Sequence, residues 1–221
     1  MNIMREVRIP PEWTQSAGEE LANSISHGAG FIGALVGTPI LLRAAFKRSS
    51  GGFLIGTIIY LSTMLLLYLG STLYHAWPQT RVKFILRSLD HSAIFLLIAG
   101  TYTPFALGPL RGVGSSNVLG IVWALAIFGV VMKATCGPSR YPKLAMSLYL
   151  GMGWIIPIAN HPLAFAIPLP ALSWLLAGGI AYTTGVLFFA NDRLRYSHFV
   201  WHLFVLAGSG CHFAAVFSCV S

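Results

Sequence analysis

The chain has 221 residues, of which 56% are hydrophobic and only 9% are charged. A water-soluble domain has about 25% charged residues, so this composition excludes an ordinary soluble protein and predicts one that crosses a membrane several times. The formal net charge is +8, but the basic residues occur in short clusters between apolar blocks. Because they form no continuous basic face, nucleic acid is excluded as a partner.

A polar segment, residues 1–20, begins the chain, and we expect it to be cytoplasmic and not a removable signal peptide. Seven apolar stretches follow, each near the ~20 residues that a helix needs to cross a bilayer. Since backbone polar groups in lipid must pair within their own segment, we predict an all-α, seven-helix transmembrane domain over residues 21–221. The stretches lie at about 21–42, 53–76, 89–110, 117–135, 144–161, 171–190 and 198–219.

The distribution of lysine and arginine predicts how the bundle is oriented. Ten basic residues fall on the side that holds the amino terminus and four on the other side. The positive-inside rule therefore places the amino terminus in the cytoplasm and the carboxyl terminus outside. Small residues such as Gly33 and Gly178 are expected to let helices approach one another closely.

Polar residues within three of the predicted helices are candidates for function, because ionisable groups are costly in a membrane. Ser71 and His75 lie four residues apart near the end of helix 2 and therefore share one face. Asp90 opens helix 3. His198 and His202 open helix 7 with the spacing by which one helix offers two imidazoles to one metal ion. Because the helices alternate in direction, all five residues are expected at one depth near the inner leaflet.

Three neutral imidazoles are a ligand set typical of catalytic zinc, which keeps a fourth position open for water. Zinc lowers the pKa of that water toward neutrality. We expect Asp90 to hold the water or accept its proton, and Ser71 to hydrogen-bond to the carboxylate or to a substrate carbonyl. Two alternatives remain: Asp90 is a structural acceptor, or Ser71 bonds to a carbonyl of its own helix.

Other polar residues are weaker candidates. Glu20, Asn23 and His27 form a polar stripe at the start of helix 1, which could line the entrance to a cavity, cap the helix or make hydrogen bonds between helices. His91 points about 100° away from Asp90 on the helix and is not expected to be a ligand. His212 lies too far along helix 7 to share the same metal ion.

The sequence resembles the hemolysin III family of bacterial membrane proteins over residues 19–219. The resemblance rests on the segment Leu89–Phe105 and on three motifs: Glu20-x2-Asn23-x3-His27-Gly28, Ser71-x3-His75 and Ser197-His-x3-His202. That family is similar to the adiponectin and progestin receptors and, more distantly, to alkaline ceramidases, in which such motifs build an intramembrane zinc site. The resemblance implies an inner-membrane bundle in which His75, His198 and His202 bind zinc, with Asp90 and Ser71 around them.

Three functions are compatible with these patterns. The first is a zinc-dependent hydrolase of a lipid amide or ester, or a sensor of membrane lipid state derived from such an enzyme. The second is a pore, for which His212 and the polar stripe on helix 1 would supply a pathway. It is disfavoured because the polar groups are concentrated near one leaflet. The third is a module in which zinc only ties helices 2 and 7 together.

Overall fold

The structure is a computed structural model and describes residues 15–112, 114–155, 166–191 and 193–220. Over these residues the chain is all-α, with seven helices and no strands. The helices are α1 (Ala17–Arg48), α2 (Gly51–Ala76), α3 (Arg81–Leu107), α4 (Ser115–Cys136), α5 (Pro142–Gly153), α6 (Leu169–Phe189) and α7 (Ser197–Ser218). The predicted seven-helix membrane bundle is therefore confirmed, whereas its orientation in the membrane stays a prediction.

Five of the described helices, α1, α2, α4, α6 and α7, are long and apolar enough to cross a membrane by length and composition. The first turns of α3 contain Arg81, Lys83 and Arg87. Helix α5 is described over twelve residues, and the later part of the predicted span 144–161 lies outside the described residues.

All seven helices begin before the predicted apolar stretches, and α1 and α3 do so by the largest margins, about four and eight residues. Helix α1 begins at Ala17, where Ser16 and Glu19 form a reciprocal capping box that satisfies free backbone N–H groups. Helix α3 begins at Arg81, so the expectation that Asp90 opens this helix is wrong. Asp90 lies about 13 Å further along the axis. Hydropathy marks the part of a helix that suits lipid, whereas arginine and lysine also favour helix formation and extend it beyond that part.

The helices pack in a pattern that leaves one seam loose. Packing is extensive between α2 and α3, α6 and α7, α1 and α2, and α3 and α4, while α7 also contacts α1. The pairs α3–α7 and α5–α6 make few contacts. Tyr102 of α3 donates to the carbonyl of Met152 of α5 on one side of this seam, at 2.7 Å. Across the seam, Trp154 Nε1 donates to Thr183 Oγ1 of α6 at 3.0 Å.

Glycines allow close approach at two helix contacts. A Cβ atom on Gly56 of α2 would lie 2.6 Å from Cα of Pro104 in α3. A Cβ on Gly178 of α6 would lie 2.4 Å from the His212 ring of α7, as the small-residue prediction requires. Gly33 differs, because nothing among the described residues lies within 4 Å of its Cβ position.

Candidate metal centre

The three histidines predicted as ligands come together at one end of the bundle. His75 lies in the last turn of α2, and His198 and His202 lie in the first two turns of α7. Their ring centroids are 4.6–5.1 Å apart, and one candidate ligand atom from each lies within 4.8 Å of the other two. The backbone turns that end α2 and start α7 therefore deliver three imidazoles to a single point.

Hydrogen bonds orient two of these rings. Nδ1 of His75 lies 2.7 Å from Oε2 of Glu20. A carboxylate can only accept, so Nδ1 carries the hydrogen and Nε2 keeps its lone pair. Nδ1 of His202 lies 3.1 Å from Ser26 Oγ and 3.3 Å from the carbonyl of Asn23. Since that carbonyl also only accepts, His202 has the same tautomer.

The nitrogens left over have the character of metal ligands. Nε2 of His75 and Nε2 of His198 are buried and have no hydrogen-bond partner in the described part of the chain. A buried polar atom without a partner costs roughly 1–3 kcal/mol, and a metal ion between the rings would supply the missing interaction. Nitrogens around one zinc ion lie roughly 3.3 Å apart, so the ion would draw the rings slightly together. The three residues fit a zinc ion on these grounds.

Asp90 and Ser71 lie beside the histidines. The Asp90 carboxylate is buried, with 7% of the residue exposed, and lies near the Ser71 hydroxyl on α2. Ser71 Oγ makes no well-formed hydrogen bond to any described residue, which includes the carbonyls of its own helix. Asp90 does not join the group of ligand atoms within 4.8 Å of one another, so it sits next to the three imidazoles and not between them.

Helix α1 contributes more to this centre than its sequence pattern revealed. Glu20 contacts His75, and Asn23 contacts His202 through its backbone carbonyl. His27 stacks on the ring of His202, with 3.5 Å between centroids and 8° between planes. Hydrogen bonding between helices, one of the three alternatives for this stripe, is therefore present. The i, i+3, i+7 spacing was the available signal, but it did not identify the partners.

His91 and His212 lie apart from the centre, as predicted. Nδ1 of His91 is 3.0 Å from the carbonyl of Pro138, which accepts its hydrogen. Nε2 of His212 is 3.4 Å from the carbonyl of Leu175, and its ring packs against Tyr182. Both side chains thus have structural partners of their own.

A cavity of about 110 Å³ adjoins the histidines in the loose seam between α3, α5, α6 and α7. His27, Asp90, His198 and His202 line it at the metal centre, whereas most of its remaining wall is apolar. The cavity reaches His212, about 21 Å from His198 along the axis of α7. It therefore combines a polar end with a long apolar wall. His27 is one of the residues that line it, and both nitrogens of its ring are buried and have no hydrogen-bond partner among the described residues.

Comparison with known proteins identifies the family of this chain. Residues 15–213 match the family described as Haemolysin-III related. The chain belongs to this family. It is 43% identical to Hemolysin-3 of Bacillus cereus over 207 residues, which cover 94% of this chain and 92% of the relative.

More distant relatives place the chain in the wider superfamily. It is 26% identical over 212 residues to the human Monocyte to macrophage differentiation factor, covering 90% of this chain and 83% of the relative. It is also 26% identical over 163 residues to the Heptahelical transmembrane protein ADIPOR2 of Oryza sativa subsp. japonica, covering 64% and 70%. The resemblance to the hemolysin III family and to the adiponectin receptor group is thereby confirmed.

Proposed function

We propose that this protein is a zinc-dependent hydrolase of a lipid amide or ester in the cell inner membrane. The observation that supports the proposal most directly is the convergence of three histidines, two of which line the polar end of an apolar cavity. Bound there, zinc would polarise a carbonyl and make water reactive near neutral pH. A lipid has both parts that such a cavity suits, a polar linkage and an apolar chain.

The surrounding side chains have roles that follow from their positions. Asp90 would accept a proton from the attacking water, because its carboxylate lies beside the histidines without joining them. Ser71, whose hydroxyl has no well-formed hydrogen bond to the described residues, would donate to the substrate carbonyl or to Asp90. His27 would hydrogen-bond to a polar group of the lipid with its unpartnered ring nitrogens. The apolar wall of the cavity would hold the chain and exclude water.

Metal binding is tested first. Purified wild-type protein should contain about one zinc ion per chain, and His202→Ala should lose it because one ligand is removed. His212→Ala is the matched control, since it removes another buried histidine of α7 that bonds to Leu175. Elemental analysis after gel filtration measures the metal. A wild-type protein that takes up no zinc would contradict the proposed site.

Catalysis is tested separately. Lipid amides and esters incubated with the protein in detergent should be cleaved, and chelation should stop the cleavage until zinc is restored. Asp90→Asn should retain zinc and lose at least about 100-fold in rate, the usual contribution of a positioned general base. Cleavage that persists without metal would refute the catalytic half of the proposal.

A structural zinc module is the second candidate, favoured by the way the three histidines join the end of α2 to the start of α7. In that case zinc would raise thermal stability, and Asp90→Asn would leave the lipid composition of cells unchanged. Lipidomics of cells that express wild type, His202→Ala or Asp90→Asn separates the two candidates.

A further inference from the structure

We infer that Glu20 is a positioning residue for the metal centre. Its carboxylate holds the His75 ring in the tautomer and orientation that present Nε2 to the ion, and Lys83 holds the carboxylate in turn. The inference deepens the proposed function and rests on metal binding at these histidines.

The contact between Glu20 and His75 is short and directional. Oε2 of Glu20 lies 2.7 Å from Nδ1 of His75, although the two residues are 55 positions apart in the sequence. The hydrogen must sit on Nδ1, so the lone pair sits on Nε2. That second nitrogen is buried and has no partner within the described ranges. The carboxylate thus selects the nitrogen that is free to bind a cation.

Lys83 fixes the other carboxylate oxygen. Its Nζ lies 2.7 Å from Oε1 of Glu20 and donates to the carbonyl of Trp77 at 3.1 Å. The same ammonium group lies 5.0 Å from the centroid of the Tyr74 ring. Lys83 itself is only 5% exposed. Each oxygen of Glu20 therefore has a charged or polar partner, and the carboxylate is tied to the turn that follows α2.

This arrangement has a chemical consequence for the metal. When one nitrogen of a histidine binds a metal ion, a carboxylate that accepts the N–H of the other nitrogen makes the imidazole more basic and prevents its ring from turning away. Lys83 balances the negative charge of Glu20, so the carboxylate can remain ionised in its partly buried position. Loss of such a partner typically lowers metal affinity by about 10- to 100-fold.

The test compares two neighbouring carboxylates in the 221-residue chain. Glu20→Gln keeps the shape of the side chain and removes its charge. Glu19→Gln removes the same charge one residue away, where the carboxylate bonds to Ser16 and to the backbone N–H of Tyr196 but to no candidate ligand. Competition with a chromophoric chelator measures zinc affinity. Glu20→Gln should lose about 10- to 100-fold, and Glu19→Gln should stay within about threefold of wild type.

A second variant and a second signal cover the case in which Glu20→Gln does not fold. Lys83→Met leaves Glu20 in place without its ion pair and should also weaken zinc binding and change the visible spectrum of bound Co²⁺. A purely structural role would lower the melting temperature of the metal-free protein and leave both signals unchanged. Wild type that binds no zinc would overturn the proposed function. If the wild type binds zinc and Glu20→Gln binds it equally tightly, the role of Glu20 is overturned while the proposed function stands. The same holds if Glu19→Gln loses as much zinc affinity as Glu20→Gln.

Discussion

The environments of the histidines in this protein differ in the group that accepts the N–H of each imidazole ring. His75 and His202 each direct one N–H to an acceptor of α1, while His91 and His212 direct theirs to backbone carbonyls elsewhere. His27 differs from all four, because neither of its nitrogens has a partner among the residues that the structure describes. The same residue type therefore has three different environments within one bundle.

His27 offers a test at the scale of one side chain. His27→Phe keeps a ring against His202 but removes both nitrogens, so zinc content should stay the same. Lipid turnover should fall about tenfold, because one hydrogen bond to the substrate is lost. Zinc content and initial rates measured on the same preparation check this expectation. A variant with wild-type turnover would remove His27 from the proposed site.

At the scale of helices, the sequence predicted the number and order of the helices correctly but did not predict the residues at which α1 and α3 begin. Seven apolar stretches identified the helices, since spanning a bilayer demands about 20 apolar residues in a row. The capped first turn of α1 and the charged first turns of α3 were not predicted as helical, because hydropathy does not identify polar turns of a helix. Asp90 was therefore assigned to the wrong part of α3, although its proximity to Ser71 was anticipated. The small-residue pattern likewise did not distinguish Gly178, whose Cβ position is in close contact with α7, from Gly33, whose Cβ position has no described atom within 4 Å.

The contact between α2 and α3 leads to a prediction about stability. Gly56→Ala would place a methyl group against the backbone of Pro104, which cannot rotate aside as a side chain can. We expect a loss of about 1–3 kcal/mol in the free energy of unfolding, typical of overpacking. Thermal denaturation in detergent measures it. Gly33→Ala is the control, since its added methyl meets open space, and an equal loss there would contradict the steric explanation.

At the scale of the whole molecule, the site depends on contacts that no single motif encodes. The spacing of His198 and His202 and the alternation of helix direction were enough to predict which three histidines meet. The contacts of Glu20 with His75 and of Ser26 with His202 join positions far apart in the chain. They depend on the orientation of α1 about its own axis where it packs against α2 and α7, and the hydrophobic periodicity of the sequence alone does not determine this orientation. The cavity was not predicted either, because it results from loose packing between pairs of helices, which the sequence pattern does not determine.

The cavity supplies the corresponding test. Ile98 on α3 lines it, and Ile98→Trp should fill the space that we propose for a lipid chain. Turnover of long-chain substrates should fall about tenfold or more, while zinc content stays at the wild-type level because the histidines are untouched. Ile127→Trp on the exposed face of α4, where the residue is 57% exposed, is the control. Unchanged turnover in Ile98→Trp would exclude this cavity as the substrate site.

The first turns of α1 touch histidines on both α2 and α7, and this has a bearing on biogenesis. A chain is synthesised from its amino terminus, so Glu20 and His75 can pair early, but His198 and His202 emerge last. A metal ion at the proposed site would not find its full ligand set until the final segment has entered the bilayer. Acquisition of the metal would then mark completion of assembly, and a chain truncated before its last helix would be recognisably unfinished to quality control.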